Sequence, residues 1–471
     1  MGLLLSFSAL IVSTIFLQLG NGAIAPLDAL AGINASFSGT EIGLLGSAHF
    51  LGFLFGCWIT PILMGQIGHI RTFTVLVSIG VIGCLLHPII VDPYFWSCLR
   101  IGNGITIAGC FTVIEAWLNS KVDRQSRGSV FGAYRFADLG SQMIAQFMIG
   151  FLDPTSFISY NLISVFFCIC LFPLTLTTRV VPEIPKSPRL RVISSFKLSP
   201  LAFSAVVVAG LTGSSIRMVS PVYGNEIGLI KEEIAILMTV FLFGGLIAQI
   251  PIGRLADLFD RRWVLIILSL FAATISIILS VIASQYVLYI YLCSFLFGFA
   301  TFPIFSVAAA HANDFAEQDK YVDIAASLIF IFGLGAIISP LFSSALIDYF
   351  GPASLFIFLS VVHILLSIIG GIRMMARPSV AEKTPYMYLP RTSLIFGKFL
   401  NPSKKESDKN INLNLSEIEK KIVDILETKI RPAVSRDGGD IVFQKFSEGV
   451  VTCLLYTSPS PRDRTSSRMP S

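Results

Sequence analysis

The sequence predicts an all-α membrane protein with twelve transmembrane helices in two six-helix halves, followed by a small α+β fragment. Hydrophobic residues make up 54% of the 471 residues and charged residues only 13%, about half of the roughly 25% found in soluble domains. From Gly2 to Ile372 the chain is divided into apolar stretches of helix length. About 20 apolar residues cross a bilayer as a helix, and a helix satisfies its own backbone there.

The apolar stretches define the predicted spans in order along the chain. The first stretch has no basic region before it, so we interpret it as a membrane helix and not as a cleaved signal peptide. The approximate spans are 3–31, 42–64, 72–91, 94–118, 128–151, 158–178, 199–222, 232–252, 262–284, 286–310, 323–347 and 353–374.

The connectors between the spans differ sharply in basic residues. Alternate connectors carry thirteen lysines and arginines, whereas the other set carries only Lys231. The positive-inside rule therefore predicts that the basic set and both termini are cytoplasmic. The thirteen are Arg71, Lys121, Arg124, Arg127, Arg179, Lys186, Arg189, Arg191, Lys197, Arg254, Arg261, Arg262 and Lys320.

The longest connector divides the membrane region into two halves. The stretch from Arg179 to Lys197 contains three prolines and five basic residues. A long link between two helix bundles is typical of transporters built from structural repeats. We therefore predict an N-terminal half at 1–180, a cytoplasmic linker at 181–198 and a C-terminal half at 199–376.

A motif after the eighth span carries a family resemblance. Gly253, Asp257, Arg261 and Arg262 are spaced as in the signature loop of the major facilitator superfamily, which this run resembles. The matching run after the second span ends at Arg71 but lacks the aspartate. The resemblance implies a twelve-helix secondary transporter that alternates between outward and inward openings.

Two further runs narrow the resemblance. Glu115–Asn119 ends the fourth span, and Ala309–Asp314 ends the tenth. With them, residues 1–395 resemble a group of bacterial permeases of this superfamily whose substrates are poorly defined. That resemblance implies a multi-pass protein of the bacterial inner membrane. Its partners would be the lipid bilayer, a small-molecule solute and a co-transported ion, with no nucleic acid and no cofactor.

The charged residues at the ends of helices suggest a gate. Glu115 and Asp314 occupy corresponding positions in the two halves, near the level of Arg71 in one half and of Arg261 and Arg262 in the other. One interpretation is that the acids pair with these bases when the cytoplasmic side is shut. The other is that the acids only anchor helix ends at the headgroup level, and the sequence leaves both open.

Ionisable groups within the spans are the candidates for a substrate cavity, because such groups are costly in lipid and usually face a cavity. Arg100 lies in the fourth span and Arg217 in the seventh, without a local partner, so they could bind an anion or snorkel to the interface. Arg135 and Asp138 share a face of the fifth span and either neutralise each other or bind solute. Amides that could line the same cavity, or join helices instead, are Asn21, Gln142 and Gln146.

The chain changes character after the last span. Residues 377–414 are predicted to be a cytoplasmic tail and linker. A soluble helix should begin near Ser416, followed by strands at 441–446 and from Val450. Residues 415–452 resemble the start of a NifU-type iron–sulfur scaffold domain. Such a domain needs a Cys-x-x-Cys pair for its cluster, but the chain has only Cys453 there, so we predict no metal site.

The end of the chain has an unusual composition. Residues 453–463 resemble translated sequencing-adaptor sequence, and we interpret 453–471 as a non-native tail. Three functions remain open. The first is a secondary transporter, driven by an ion gradient because no nucleotide-binding loop is present, and not an enzyme. The alternatives are a membrane-tethered iron–sulfur assembly protein and a transceptor that senses a solute.

Overall fold

The computed structural model forms two compact units, Met1–Pro402 and Ser403–Ser471. Most of the first unit is described, together with two short helical pieces and a hairpin of the second. The described residues are 2–121, 127–175, 190–282, 285–317, 320–376, 384, 386, 391–393, 421–422, 424–426, 430, 440–447 and 450–456.

Six helices form the first half of the membrane unit. Polar or proline-containing connectors separate them, and the second begins with a capping box in which Ser38 and Glu41 satisfy each other's backbone NH groups. A single 3₁₀ turn, Ile149–Phe151, follows the fifth helix. The helices are α1 Gly2–Asn34, α2 Gly39–Ile67, α3 His69–Leu86, α4 Pro93–Lys121, α5 Arg127–Met148 and α6 Phe157–Thr175.

The second half repeats this arrangement after a short helix in the linker. That helix, α7, lies within the stretch 181–198, which the sequence analysis predicts only as a basic linker. The helices are α7 Val192–Leu198, α8 Pro200–Glu226, α9 Lys231–Leu258, α10 Arg261–Val281, α11 Val287–Thr301, α12 Ile304–Asn313, α13 Tyr321–Phe350 and α14 Ala353–Ala376.

Eleven of the described helical segments are long and apolar enough to cross a membrane, against twelve predicted spans. The segment 287–313 counts as one of them although it is broken between α11 and α12. The expected fifth span is present as the 22-residue α5 but is not among the eleven. Arg135, Asp138, Gln142 and Gln146 make this helix more polar than its neighbours.

Two helix boundaries differ from those expected. Residues from Gly253 to Leu258 continue α9, so the predicted signature loop is reduced to Phe259 and Asp260. The tenth span breaks at Pro303, because proline has no NH group to continue the helical hydrogen bonds. This break separates α11 from α12.

Glycines allow the same pair of helices to pack closely in each half. A Cβ on Gly104 of α4 would lie 2.0 Å from the carbonyl oxygen of His49 in α2. A Cβ on Gly298 of α11 would lie 1.9 Å from the carbonyl oxygen of Phe241 in α9. Backbones therefore touch at equivalent positions, as small residues permit between membrane helices. This correspondence is structural support for the internal repeat.

The halves are joined by hydrogen bonds at one end of the bundle, which we call the Lys231 end. Asp348 of α13 accepts hydrogen bonds from the backbone NH groups of Gly39 (3.0 Å) and Thr40 (2.7 Å) at the start of α2. The Lys231 ammonium donates to the carbonyl oxygen of Leu152 at 3.2 Å. We call the opposite end, where α10 begins and α12 ends, the Arg261 end.

The second unit contains an antiparallel hairpin. Strand β1, Asp440–Ser447, pairs with β2, Val450–Tyr456, and the register is irregular between Phe443 and Lys445. Both strands lie where strands are expected. However, β2 continues through Cys453 to Tyr456, so it crosses the predicted boundary between 452 and 453.

Candidate functional site

A cavity of about 140 Å³ lies between the two halves. Helices α1, α2, α4 and α5 of the first half and α8, α9 and α13 of the second line it, with Phe302 from the break between α11 and α12. Its walls combine aromatic rings with polar side chains. The polar lining residues are Gln18, Asn21, His49, Arg135, Asp138, Gln142, Gln146, Arg217, Arg391 and Thr392.

The first-half wall carries a connected polar cluster. Arg135 forms an ion pair with Asp138 one turn away on α5. The same carboxylate accepts a hydrogen bond from the Gln18 amide of α1, and Gln18 in turn accepts one from Asn21 at 2.9 Å. The local pair predicted from the sequence therefore forms, and it is joined to α1 by amides.

Arg217 is the cavity arginine of the second half. Its guanidinium donates to the backbone carbonyl oxygen of Asn21 at 3.0 Å, so it reaches across from α8 to α1. Gln142 and Gln146 line the cavity from α5, which is one of the two roles that the sequence leaves open for them. Thus Asn21, Arg135, Asp138, Gln142, Gln146 and Arg217 all face one cavity.

Arg100 is the exception among the predicted cavity residues. It is only 1% exposed and does not line the cavity. Its guanidinium lies 3.6 Å from the carboxylate of Asp28 and 3.4 Å from the side-chain oxygen of Asn103. Asp28 also accepts from the Tyr160 hydroxyl at 3.0 Å, and the His87 ring lies 3.4 Å from it. Arg100 therefore belongs to a buried cluster inside the first half.

The sequence analysis missed Asp28 although the signal was present. An acid within a predicted membrane span needs a partner, and Asp28 lies inside the first one. The partner is far away in sequence, on α4, so inspection of the local sequence around Arg100 could not find it. The sequence analysis also did not single out the cavity residues Gln18, His49 and Arg391. Gln18 and His49 are uncharged residues within predicted spans, and Arg391 lies after the last span, so no charge within a span marks them.

At the Arg261 end, the second-half gate candidates lie together. Arg261 is 1% exposed, and its guanidinium contacts Asp314 at 2.5 Å and Asp257 at 3.1 Å. Arg262 instead contacts Asp260 at 2.6 Å. The motif thus brings one of its two arginines to the acid that ends α12.

Glu115 does not pair with Arg71 in this state, and its pairing when the cytoplasmic side is shut stays a prediction. Glu115 is fully buried, and among the described residues its partners are the hydroxyl groups of Tyr134 (3.0 Å), Thr392 and Ser393. Arg71 is exposed at the start of α3. Glu115 lies about two turns before the end of α4, and in this state it is too deep in the bundle to meet a base in the connector.

The connector between α9 and α10 lies outside the spans, and its Asp260 forms an ion pair with Arg262. Asp260 caps α10 by accepting from the Arg262 NH group at 3.0 Å. Burial alone would raise the pKa of Asp260, but the hydrogen bonds and charge of Arg262 hold it below its usual value. This side chain therefore stabilises the start of α10 as an anion.

Metal ligands are not grouped in the parts of the chain that the structure describes. Within those ranges, no three His, Cys, Asp or Glu side chains lie together as a metal site would require. Cys453 lies in β2 with a free thiol. The cavity is instead equipped with paired charges, amides and aromatic rings, which are groups suited to reversible solute binding.

Taken together, the fold and the cavity define a multi-pass helical membrane protein with a polar cavity lined by helices from both parts of the chain. Residues 201–386 match the family model described as the Major Facilitator Superfamily. The uncharacterized MFS-type transporter YcaD of Escherichia fergusonii is 25% identical over 325 residues, 68% of this chain and 84% of that protein. The protein of the same name from Salmonella arizonae is 25% identical over 346 residues, 72% and 89% of the two chains.

Solved structures show the same fold. The nucleoside transporter NupG superposes with a TM-score of 0.63 and 14% identity, over 78% of this chain and 98% of that chain. A bacterial homolog of the human lysosomal transporter Spinster, in an inward-facing and occupied conformation, has a TM-score of 0.61 and 16% identity, over 79% and 96%. The chain is thus similar in sequence to MFS-type transporters, and its helical fold is that of the solved structures.

Proposed function

We propose that this protein is a secondary transporter that moves a small solute by alternating access between two six-helix halves. The observation that carries the proposal is the position of the cavity. Both halves contribute ionisable residues to it, Arg135 and Asp138 from α5 and Arg217 from α8. A site at the interface of two repeats changes its accessibility when the repeats rock against each other.

The distribution of polar residues on α5 supports counting this helix as a membrane span in addition to the eleven apolar segments. One side of this helix lines the cavity, whereas Phe136, Ile144 and Phe147 on its other side are 74%, 61% and 48% exposed. Large apolar side chains exposed in this way suit contact with lipid tails. A helix between lipid and a polar cavity needs only one apolar face, which explains its lower mean hydropathy.

The contacts at the Lys231 end support a state that is closed at this end. There α2 packs so tightly on α13 that a Cβ on Gly43 would lie 2.5 Å from the carbonyl oxygen of Pro340. The positive-inside rule assigns this end to the outside of the cell. We infer that this state is closed to the outside, with both termini cytoplasmic.

Weakening the Lys231 end tests alternating access without knowledge of the solute. Asp348→Asn removes the charge that binds two backbone NH groups of α2, so we expect the population to shift toward a state open at this end. Spin labels at Ser36 and Tyr349 report the Lys231 end, and labels at Arg71 and Arg254 report the other end. The background carries serine in place of the exposed Cys98 and Cys168.

The expected result is a longer distance for the first pair of labels and a shorter distance for the second. The matched control is Asp153→Asn, an acid at the same end whose side chain bonds only locally to Thr155 in the contacts described. Unchanged distances in Asp348→Asn, or changes of the same sign at both ends, would refute alternating access.

The proposal also covers the energy source for transport and the role of the C-terminal unit. We infer that transport is coupled to an ion gradient. We also retain 415–452 as a NifU-type remnant without a cluster. Iron bound stoichiometrically to the purified full-length chain would instead favour the iron–sulfur assembly function.

A further inference from the structure

The described residues of the stretch 384–393, which are 384, 386 and 391–393, contact both halves at the Arg261 end of the cavity. On the second half, the backbone NH and the hydroxyl of Thr384 bind the Asp314 carboxylate at 2.8 and 2.9 Å. The Arg261 guanidinium donates to the Thr384 hydroxyl at 3.1 Å and to its carbonyl oxygen. The backbone NH of Tyr386 binds the Asp257 carboxylate at 2.7 Å.

The same segment binds the first half a few residues later. The hydroxyl groups of Thr392 and Ser393 donate to the two carboxylate oxygens of Glu115. Ser393 is fully buried, and Thr392 lines the cavity. The acids expected to form a gate, Glu115 and Asp314, are thus both bound by this segment.

Between these two attachments, Arg391 enters the cavity. Its guanidinium carbon lies 4.9 Å from the ring centre of Phe302, 5.1 Å from Phe332 and 5.7 Å from Phe305. A guanidinium within about 6 Å of an aromatic face is attracted by the ring quadrupole, and cages of such rings recognise organic cations. Phe302 and Phe305 are three residues apart, on either side of Pro303.

We propose that the cage of Phe302, Phe305 and Phe332 is a cation subsite of the transport cavity, which accepts a solute bearing a guanidinium or ammonium group. Arg391 occupies this subsite as an internal competitor, and solute enters when the Arg391 side chain leaves. This inference rests on the proposed transport function and adds a substrate class to it.

The aromatic faces of the cage, and not the lining charges, favour a cation over an anion. Arg135 and Asp138 neutralise each other, and Arg217 is held by a backbone carbonyl oxygen. Departure of the Arg391 side chain removes one positive charge from the cavity. A cationic solute restores the occupant of the cage, whereas an anion does not.

Binding measurements on the full-length chain in lipid nanodiscs test the proposal. The probes are agmatine, which carries a guanidinium group, and choline, with succinate as the anionic comparison. Arg391→Ala vacates the cage, so we expect both cations to bind at least tenfold more tightly than to the wild type. Arg254→Ala, which removes an exposed arginine of α9, should bind as the wild type does.

Ring substitutions in the Arg391→Ala background separate a role of the cage from a general effect on folding. Phe332→Leu should weaken agmatine binding at least tenfold, and Phe332→Tyr, which keeps an aromatic face, should restore it. In the wild type, agmatine should also accelerate tryptic cleavage after Arg391, because the probe displaces this side chain from the cage. The cleavage product is identified by mass spectrometry.

Several results would overturn the proposal. These are equal agmatine affinities of wild type and Arg391→Ala, absence of binding by either cation, tighter binding of succinate, or no effect of Phe332→Leu. No acceleration of cleavage after Arg391 would also contradict it. If cation binding fails while Asp348→Asn still shifts the label distances in opposite directions, only the substrate class is wrong. Unchanged label distances with cation binding intact would instead refute the transport mechanism.

Discussion

The buried cluster around Asp28 offers a quantitative test of the structure. Replacing this side chain in Asp28→Ala leaves Arg100, which is 1% exposed, without its carboxylate. At the 3.6 Å between the two groups, the Coulomb attraction is about 5 kcal/mol for an effective dielectric constant of about 20. Removing one member of a buried ion pair typically costs about 3–5 kcal/mol. We therefore expect the variant to lose about 3–5 kcal/mol of unfolding free energy.

The assay is reversible unfolding of the purified protein in mixed detergent micelles, followed by circular dichroism. Asp153→Ala, a surface acid of the same half that bonds to Thr155, is the control and should lose far less unfolding free energy than Asp28→Ala, because its hydrogen bonds are exposed. Combining Asp28→Leu with Arg100→Met removes both charges and should recover most of the loss, because the unpaired cation is gone. A loss below about 1 kcal/mol in Asp28→Ala would show that the pair does not carry the stability inferred here.

Two further predictions concern packing and pH. Gly104→Val should abolish or severely destabilise folding, because its Cβ would meet a carbonyl oxygen of α2 at 2.0 Å, whereas Gly371→Ala, with open space around it, should be tolerated. Expression yield and melting temperature measure both. Asp260 has a lowered pKa in the folded protein, so its contribution to stability is present above the unfolded pKa of about 3.9 and is lost as the pH falls through the folded pKa. Asp260→Asn should consequently show a smaller loss of melting temperature below about pH 4 than the wild type, and equal acid sensitivity would contradict this.

The candidate site was only partly predictable from the sequence. Arg135 and Asp138 were found because they are three residues apart in an apolar helix, and that spacing alone places them on one face. Arg100 has a similar sequence context but a different environment, since its partner Asp28 comes from another helix. Contacts of this kind depend on which helices are neighbours, and periodicity within one helix does not contain that information.

The gate residues likewise include one contact between sequence neighbours and other contacts between residues far apart in the chain. Asp257 and Arg261 are four residues apart, and their side chains meet at 3.1 Å across the short connector between α9 and α10. Nothing local connects Glu115 to Thr392 and Ser393, which are separated from it by more than 270 residues. A segment after the last span bears no hydrophobic pattern, so its docking between the halves was invisible before the fold was known.

The sequence by itself predicts that the chain lies in a bilayer, approximately where its helices begin and end, and that it divides into two halves. These features can be read locally because they depend on hydrophobicity and charge along the chain. Tertiary structure decided which polar groups meet. In the folded chain Arg100 lies outside the cavity, Arg217 contacts α1, and Arg391 lies among three aromatic rings. The physical reason is that in lipid every buried polar group must find a partner, and that partner is determined by the packing of helices that are distant in sequence.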